Sequence, residues 1–315
     1  MAQSIGKPFH MFETNTASCG GFDGVSNSFG AALWATDYGF QMAYTNFSEA
    51  LLHVGGQNVY YNPFNSPPTN QSSYHQWTVG PVFYASLILA EAFGKSGTSR
   101  ILDLAANSAN PYTPAYGIWQ NGALAKLALF NYVTDPTGAS ASNVTFALGG
   151  GTTGQPAGTP ATVKVKYLSS NSTASRNITW ANQTFGLYFE SDGRLMNDLY
   201  IETVTCNTDN TCNVTVPAPG FALVFLTDDP VNLGPDPSQT FSTTAYTKSF
   251  NTATVNSTEL ADSNGHSGKD RENLGSTSYG SRSGAMGLRD GVLEVFSATV
   301  GCAVGLFALR GAWLW

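Results

Sequence analysis

Charged side chains are scarce in this 315-residue sequence, and basic side chains are the scarcer kind. Charged residues make up 11% of the chain, with 14 basic against 21 acidic side chains and a formal net charge of −7. Proteins that bind nucleic acid neutralise phosphates with clustered lysine and arginine, and no such patch occurs in this sequence. The composition therefore excludes nucleic acid as a partner.

The motifs of several common enzyme classes are also missing. The four histidines are scattered, and none belongs to the His-Glu-x-x-His spacing of zinc hydrolases. The glycine-rich run at residues 149–154 has no lysine of a phosphate-binding loop, and no Gly-x-Ser-x-Gly nucleophile motif occurs. We therefore expect neither a metal nor an organic cofactor.

The residues that are abundant are typical of a secreted, β-rich protein. Hydrophobic residues reach 42%, enough for a core, and serine, threonine, asparagine and glycine are frequent. Eight Asn-x-Ser/Thr sequons occur, and we expect the one at Asn46, which ends a predicted helix, to stay unmodified. We predict an extracellular or cell-surface location, with glycans on Asn70, Asn143, Asn171, Asn177, Asn182, Asn213 and Asn256.

Two of the four cysteines stand at a spacing that favours a disulfide. Cys206 and Cys212 bracket a turn-rich loop between two β-like runs, which fits a hairpin disulfide, with two free thiols as the alternative. Cys19 either pairs with a residue outside this chain or stays free. Cys302 lies in an apolar tail.

Residues 1–98 are predicted to form two βα units. A strand at 8–13 is expected to bury Phe9 and Met11, or their neighbours, and to present Glu13 at its C-terminal end, followed by a glycine-rich loop. Helices are predicted at about 28–45 and 79–94, with a short buried strand at 50–54 between them. Two such units are a quarter of a (β/α)8 barrel and cannot close a sheet on their own.

Residues 99–228 have a different pattern. Strand-like runs occur at 124–131, 162–168 and 221–226, separated by turns rich in Gly, Ser, Asn and Thr. In the second run Lys164 and Lys166 alternate with apolar side chains, the period of a half-buried antiparallel strand. We predict an antiparallel β-sandwich over this range.

The last 87 residues lose this pattern. Residues 229–291 are rich in Ser and Thr and are predicted to be a disordered linker. Residues 292–315 form an apolar tail, short for a membrane-spanning helix. A small-residue site at 283–285 and a polar spacer precede it, as in the signal for a glycosylphosphatidylinositol anchor. The alternatives are such an anchor, a plain membrane helix, or neither. Either of the first two would make the membrane a partner.

Several segments in order resemble glycoside hydrolase family 79, the fungal β-glucuronidase and heparanase-like family. Residues 12–21 (FETNTASCGG) resemble its nucleophile strand, and residues 53–63 (HVGGQNVYYNP) resemble its last barrel strand and sugar-carboxylate loop. Residues 29–38 and 76–84 resemble the two following helices, and 115–122 and 217–225 resemble strands of its C-terminal β-sandwich. The resemblance covers about residues 4–228 and implies the C-terminal quarter of a (β/α)8 barrel followed by that sandwich.

The resemblance also implies roles for particular residues. Glu13 would attack the anomeric carbon of a β-linked glucuronic acid, and Asn15 would orient it. Tyr60, with the backbone at Val59, would bind the uronate carboxylate, and His53 would contact the sugar. The plainer alternatives are a structural glutamate, an aromatic side chain packed on the barrel rim and a buried structural histidine. The implied partner is a glycan that contains β-glucuronide.

One element of the family's chemistry is missing from this sequence. The acid/base glutamate of the family follows an asparagine, and no Asn-Glu pair occurs here. The family's tyrosine shortly after the nucleophile is also not found. We therefore expect the chain to be a C-terminal part of a hydrolase, or a partial gene product, that is inactive alone. The alternative is a non-catalytic glycan-binding or structural β-sandwich at the cell surface.

Overall fold

A computed structural model describes residues 3–56, 59–65, 77–135, 137–227 and 230. The predicted linker and apolar tail, apart from Pro230, and the sequons at Asn70 and Asn256 lie outside these ranges. No helix within them is long and apolar enough to cross a membrane.

The chain forms thirteen β-strands and three α-helices in the described residues. The helices are α1 (Phe29–Tyr44), α2 (Pro81–Phe93) and the single turn α3 (Ala106–Ala109). The strands are β1 (His10–Thr14), β2 (Glu49–Leu52), β3 (Phe64–Asn65), β4 (Thr78–Val79), β5 (Arg100–Asp103), β6 (Ala115–Gln120), β7 (Ala123–Asn131), β8 (Ser142–Phe146), β9 (Thr162–Ser169), β10 (Thr179–Trp180), β11 (Glu202–Thr205), β12 (Cys212–Val216) and β13 (Gly220–Phe225).

The first part of the chain alternates strand and helix, as predicted. β1 and β2 pair in parallel, and His10 lies opposite Glu49. Helix α2 follows the N-cap residue Gly80 and begins at Pro81, where proline has no hydrogen bond to lose. Its C-cap residue is Gly94, whose φ of 66° lies in the left-handed region that glycine enters without steric cost.

The expectation that strands β1 and β2 are buried is wrong. Phe9 is 50% exposed and packs at the edge against Phe47, while Leu51 and Val54 are also exposed. The reason is that α1 and α2 contact Leu52 on one side of this two-stranded sheet, and the described residues provide no layer on the other side. Parallel sheets are normally covered on both faces.

The rest of the described chain is dominated by one antiparallel sheet of seven strands. Its order is β10-β9-β13-β7-β6-β5. The seventh strand, β11, pairs with residues 162–165 of β9. β8 and β12 form a separate antiparallel pair. All six residues of β13 are buried, because this strand is central and both faces of the sheet are covered.

The two faces of the large sheet are covered by different elements. On one face α1 and α2 contribute Phe40 and Ile88 to a cluster with Phe130 and Phe221 of the sheet. On the other face, Val214 and its neighbours on β12 pack against β9 and β13. The helices that follow β1 and precede β5 therefore share a hydrophobic core with the β-rich part of the chain.

Strand β9 departs from the predicted half-buried pattern at one position. Lys164 is exposed, but Lys166 is buried, because α2 lies over this part of the sheet. The Nζ of Lys166 donates to both carboxylate oxygens of Glu91 on α2, at 2.8 and 3.0 Å. It also lies 5.7 Å from the ring centre of Trp180. The expectation that exposed lysines alternate with buried apolar residues is therefore wrong at Lys166. Its burial depends on α2, which is distant in the sequence and which the pattern of the strand does not reveal.

A disulfide joins Cys206 to Cys212 between β11 and β12. The loop between them is closed by the backbone N–H of Asn207, which donates to the carbonyl of Thr211 at 2.7 Å. Cys212 is buried in the cluster between the two sheets, so the disulfide attaches an exposed loop to that cluster.

Candidate active site

Glu13 lies near the C-terminal end of β1, next to the C-terminal end of β2. The backbone N–H of His53 donates to the carbonyl of Thr14 at 2.9 Å, which extends the parallel pairing of the two strands by one step. Because the two strands are parallel, the side chains that follow them emerge at the same edge of the sheet.

Glu13 opens into a cavity of about 550 Å³ at this edge. Four of the five residues proposed from the sequence for catalysis and binding line it: Glu13, Asn15, His53 and Val59. The fifth, Tyr60, does not line this cavity, and Tyr61 does. The remaining lining residues are Thr14, Ala17, Ser18, Cys19, Gly20 and Gly55.

Tyr61 is the residue of this site that the sequence did not single out. It is 4% exposed, and its hydroxyl lies 2.7 Å from Nδ1 of His53. The two rings meet edge to face with centres 5.7 Å apart. The hydrogen bond fixes the orientation of the imidazole relative to Glu13's cavity. The sequence shows only that two tyrosines, Tyr60 and Tyr61, are adjacent. Their side chains point in different directions, and the loop conformation determines which of them lines the cavity.

Asn15 connects the ends of the two strands. Its Nδ2 donates to the carbonyl of His53 at 2.9 Å, and its Oδ1 accepts from the backbone N–H of Thr16 at 2.8 Å. The side-chain amide of Asn15 thus forms hydrogen bonds with backbone groups at the ends of both strands. Asn15 therefore positions the segment that carries Glu13 relative to His53.

The loop after β2 is held by Asn62, which is buried. Its Oδ1 accepts from the N–H of Gly55 at 2.9 Å, and its Nδ2 donates to the carbonyls of Gly55 and Gly56 at 3.0 and 3.1 Å. The N–H of Tyr60 donates to the carbonyl of Gly20 at 2.8 Å. The loops after the two strands are thus joined by main-chain hydrogen bonding at the rim of the cavity.

Tyr60 lines a second cavity of about 160 Å³. Val59 lines both cavities, so the two are neighbours that share one side chain as a wall. The other side of the second cavity is formed by residues 186–189 and Arg176, which belong to the β-rich part of the chain.

Glu13 is the only carboxylate among the described residues that line its cavity. Glu49, the other glutamate of the β1–β2 pair, contacts Nδ1 of His10 at 2.5 Å, at the opposite end of the strands. His10 and Glu13 are three positions apart on an extended strand, a distance of about 10 Å. A retaining glycosidase requires its two carboxyl groups about 5–5.5 Å apart, so Glu49 does not fit that role.

Comparison with known proteins agrees with this architecture. Residues 115–223, which run from β6 into β13, match the model of the glycosyl hydrolase family 79 C-terminal beta domain. This part of the chain is therefore similar to a domain of the glycoside hydrolases, and the resemblance to family 79 is confirmed over these residues.

The curated relatives point to the same family. The chain is 27% identical over 237 residues to a beta-glucuronidase of Aspergillus niger, a match that covers 70% of this chain and 42% of the relative. It is 28% identical over 142 residues to a beta-glucuronidase of Neurospora crassa, which covers 42% of this chain and 25% of the relative. The chain thus spans less than half the length of the curated relatives it matches.

A solved structure shares the fold. The chain superposes on a 4-O-alpha-L-rhamnosyl-beta-D-glucuronidase from Fusarium oxysporum 12S with a TM-score of 0.56 and 24% identity. The superposition covers 71% of this chain and 44% of that one. At this identity the likeness concerns the fold alone.

Proposed function

We propose that this chain supplies the nucleophile side of a retaining β-glucuronidase site. Glu13 would attack the anomeric carbon of a β-linked glucuronic acid and form a glycosyl ester, with the sugar contacted by His53 and oriented by the loop at Val59. The observation that carries the proposal is the single cavity that Glu13 shares with His53 and Tyr61 at the ends of parallel strands, in a chain with the family 79 beta domain.

The proposal includes a barrel origin for residues 1–98. Its support is that β1 and β2 are parallel neighbours, that a helix follows each of them, and that both helices pack on the same side. Phe12, in the middle of β1, is 81% exposed, as expected for a strand that is normally covered by further layers of a closed sheet.

A second carboxyl group is required to protonate the leaving oxygen and then to activate water. Since the described residues bring no other carboxylate to Glu13's cavity, we expect the 315-residue chain alone to be inactive. The test is turnover of 4-nitrophenyl β-glucuronide by the purified chain and by Glu13→Gln. Equal, background rates are expected, and turnover that Glu13→Gln abolishes would contradict this part of the proposal.

Sugar binding tests the site without requiring turnover. Glucuronic acid is expected to bind to the chain in ligand-observed NMR, and this binding is expected to be lost in His53→Ala and reduced in Tyr61→Phe. His10→Ala, at the other end of the same strand pair, is the matched control and should bind like the unchanged chain. Binding that survives His53→Ala but not His10→Ala would reject the assignment of the site.

We further propose that the protein is an N-glycosylated cell-surface or secreted protein. The sequon asparagines that the structure describes are all exposed, namely Asn46, Asn143, Asn171, Asn177, Asn182 and Asn213. Expression through a eukaryotic secretory route, followed by enzymatic removal of N-glycans, is expected to lower the apparent mass. Release from membranes by phosphatidylinositol-specific phospholipase C would support the lipid anchor over a membrane helix, and resistance would contradict it.

A non-catalytic glycan-binding role is the second candidate. The observation that favours it is an open groove of about 560 Å³ on the β-rich part, where Tyr200 is exposed beside Tyr167 and Glu202. Retention of the chain on an insoluble polysaccharide, lost in Tyr200→Ala and unchanged in Glu13→Gln, would favour this role. The opposite pattern would favour the glycosidase.

A further inference from the structure

The groove that Tyr200 borders on the β-rich part is lined by two sequon asparagines. Asn171 and Asn182 both belong to its walls, and both are exposed. Thr173 and Thr184 complete their sequons. The other described sequon asparagines are not among the lining residues, namely Asn46, Asn143, Asn177 and Asn213. A glycan on Asn171 or Asn182 would therefore begin inside the groove.

Asn182 is held close to Tyr200 by the backbone. The N–H of Tyr200 donates to the carbonyl of Ala181, the residue before Asn182, at 2.9 Å. The Nδ2 of Asn182 donates to the carbonyl of Asp198 at 3.0 Å. Glycosylation replaces one hydrogen of this amide and leaves the other, so the hydrogen bond to Asp198 can be retained and can orient the first sugar. The attachment point and the tyrosine ring are thus neighbours.

The ring of Tyr200 provides an apolar surface in this groove. Tyr200 is 59% exposed, whereas Tyr167 beside it is half-buried and donates its hydroxyl to the carboxylate of Glu202 at 2.6 Å. An exposed aromatic ring among polar groups suits a ligand that has both apolar and polar surfaces. N-acetylglucosamine is such a ligand, because it combines a C–H face and an acetyl methyl group with hydroxyl and amide groups.

The groove is ordered and large enough for the core of a glycan. The carboxylate of Asp135 accepts from the backbone N–H groups of Thr137 and Ser140 at 2.9 and 2.7 Å, which holds the loop at one wall. An ordered wall lowers the entropic cost of binding. At about 10–15 Å³ per water, the volume of about 560 Å³ holds roughly forty waters. That number exceeds the non-hydrogen atoms of two N-acetylglucosamine units.

Covalent attachment favours the chain's own glycan as the occupant. A short tether gives an effective concentration in the millimolar range, so weak contacts with the ring are enough to keep a tethered sugar bound. A polysaccharide in solution has no such advantage and would compete with the tethered glycan for the same surface.

We propose that the first two N-acetylglucosamine units of a glycan on Asn182 dock in this groove, with the C–H face of one unit on the ring of Tyr200. The proposal rests on the proposed N-glycosylation of the protein and is independent of the glycosidase function. It makes the groove a docking surface for part of the molecule itself, where the second candidate function would place an external polysaccharide.

The experiment measures how fast endoglycosidase H, which cleaves between these two units, releases each glycan from the native chain secreted by a yeast host. Mass spectrometry of chymotryptic glycopeptides gives the rate at each site, because cleavage after Trp180 separates Asn177 from Asn182. Release from Asn182 is expected to be about tenfold slower than from Asn213, equivalent to about 1.4 kcal/mol of docking. The isolated glycopeptides should be cleaved at equal rates, which excludes an effect of local sequence.

Substitutions assign the protection to the groove. Tyr200→Ala is expected to raise the rate at Asn182 to that at Asn213, and Tyr200→Phe, which keeps the ring, should preserve the protection. Tyr112→Ala is the matched control, because Tyr112 is also an exposed tyrosine but does not line the groove, and it should change neither rate.

Failure of this proposal and failure of the N-glycosylation proposal have different readouts. A secreted chain without glycans at any sequon rejects both. Glycans on other sequons but not on Asn182, or equal release from Asn182 and Asn213 in the native chain, reject the docking alone. Slow release from Asn182 that persists in Tyr200→Ala also overturns it.

Discussion

Truncation of Phe40 tests whether the helical layer and the β-rich part are one folding unit. Phe40 on α1 is fully buried, and its ring contacts Phe93 of α2 with centres 5.6 Å apart. On the sheet side it packs against Tyr116 at 5.3 Å and Phe221 at 6.3 Å. Phe40→Ala would therefore open a cavity where the helices meet the sheet.

The expected cost follows from this environment. Replacing a fully buried phenylalanine by alanine removes its transfer free energy and leaves a cavity, for a loss of about 3–5 kcal/mol in the free energy of unfolding. Phe12→Ala is the matched control, because Phe12 is 81% exposed, and surface substitutions usually change stability by less than about 0.5 kcal/mol.

The assay is urea-induced unfolding followed by circular dichroism on the full chain and both variants. A midpoint shift for Phe40→Ala that is no larger than that for Phe12→Ala would refute the shared core. The same reasoning predicts that residues 99–228 expressed alone are unstable, because the sheet face that contacts Phe40 and Ile88 would be exposed. If that segment unfolded cooperatively and were as stable as the full chain, the shared core would also be refuted.

Three further predictions concern stability. Glu91→Gln removes the carboxylate that buried Lys166 contacts and is expected to cost about 3–5 kcal/mol in urea unfolding, with a smaller cost in the double variant that also replaces Lys166 by Met. Hydrogen bonds from Thr137 and Ser140 lower the pKa of the Asp135 carboxyl from 3.8 to about 2. The ionised group therefore stabilises the fold above pH 3.8, and this contribution is lost as the pH falls toward 2. Asp135→Asn should flatten the pH dependence of the free energy of unfolding between these values, and an unchanged slope would contradict this. Replacing Cys206 and Cys212 by alanine should cost about 2 kcal/mol, and no change in the unfolding midpoint would show that the short loop constrains little.

The long helices and several of the longer strands could be predicted from the sequence, but the short strands and the packing of the elements could not. Helical spacing of apolar residues indicated α1 and α2, and alternation indicated β9, because both patterns are local. The burial of Lys166 depends on α2 lying over β9, a contact between residues 75 positions apart that no local pattern encodes. The exposure of Phe9 has the same origin, since burial of a strand depends on layers that the strand itself does not specify.

The candidate site was also predictable only in part. Glu13, Asn15 and His53 were selected through the resemblance to family 79. In the structure they lie at or near the ends of two parallel strands, and such ends meet at one edge of a sheet. Which of Tyr60 and Tyr61 enters Glu13's cavity depends on the turn held by Asn62, so the sequence alone could not decide it. The neighbouring cavity was not foreseen, because Tyr188 follows Tyr60 by 128 positions and meets it only through the fold.

The role of Glu13 as the nucleophile is the central claim, and it can be tested without the acid/base group. With β-glucuronyl fluoride, attack by the Glu13 carboxylate on the anomeric carbon breaks the C–F bond and releases fluoride, which needs no proton from a general acid. The resulting ester should accumulate, because the carboxylate that would activate water for its hydrolysis is not found among the described residues lining this cavity.

The measurement is the mass of the intact chain and of its proteolytic peptides after incubation with this fluoride. The account predicts one glucuronyl adduct on the peptide that contains Glu13, absent in Glu13→Gln and retained in Glu49→Gln, which alters the glutamate at the other end of the strand pair. No adduct on the unchanged chain, or an adduct that persists in Glu13→Gln, would contradict it.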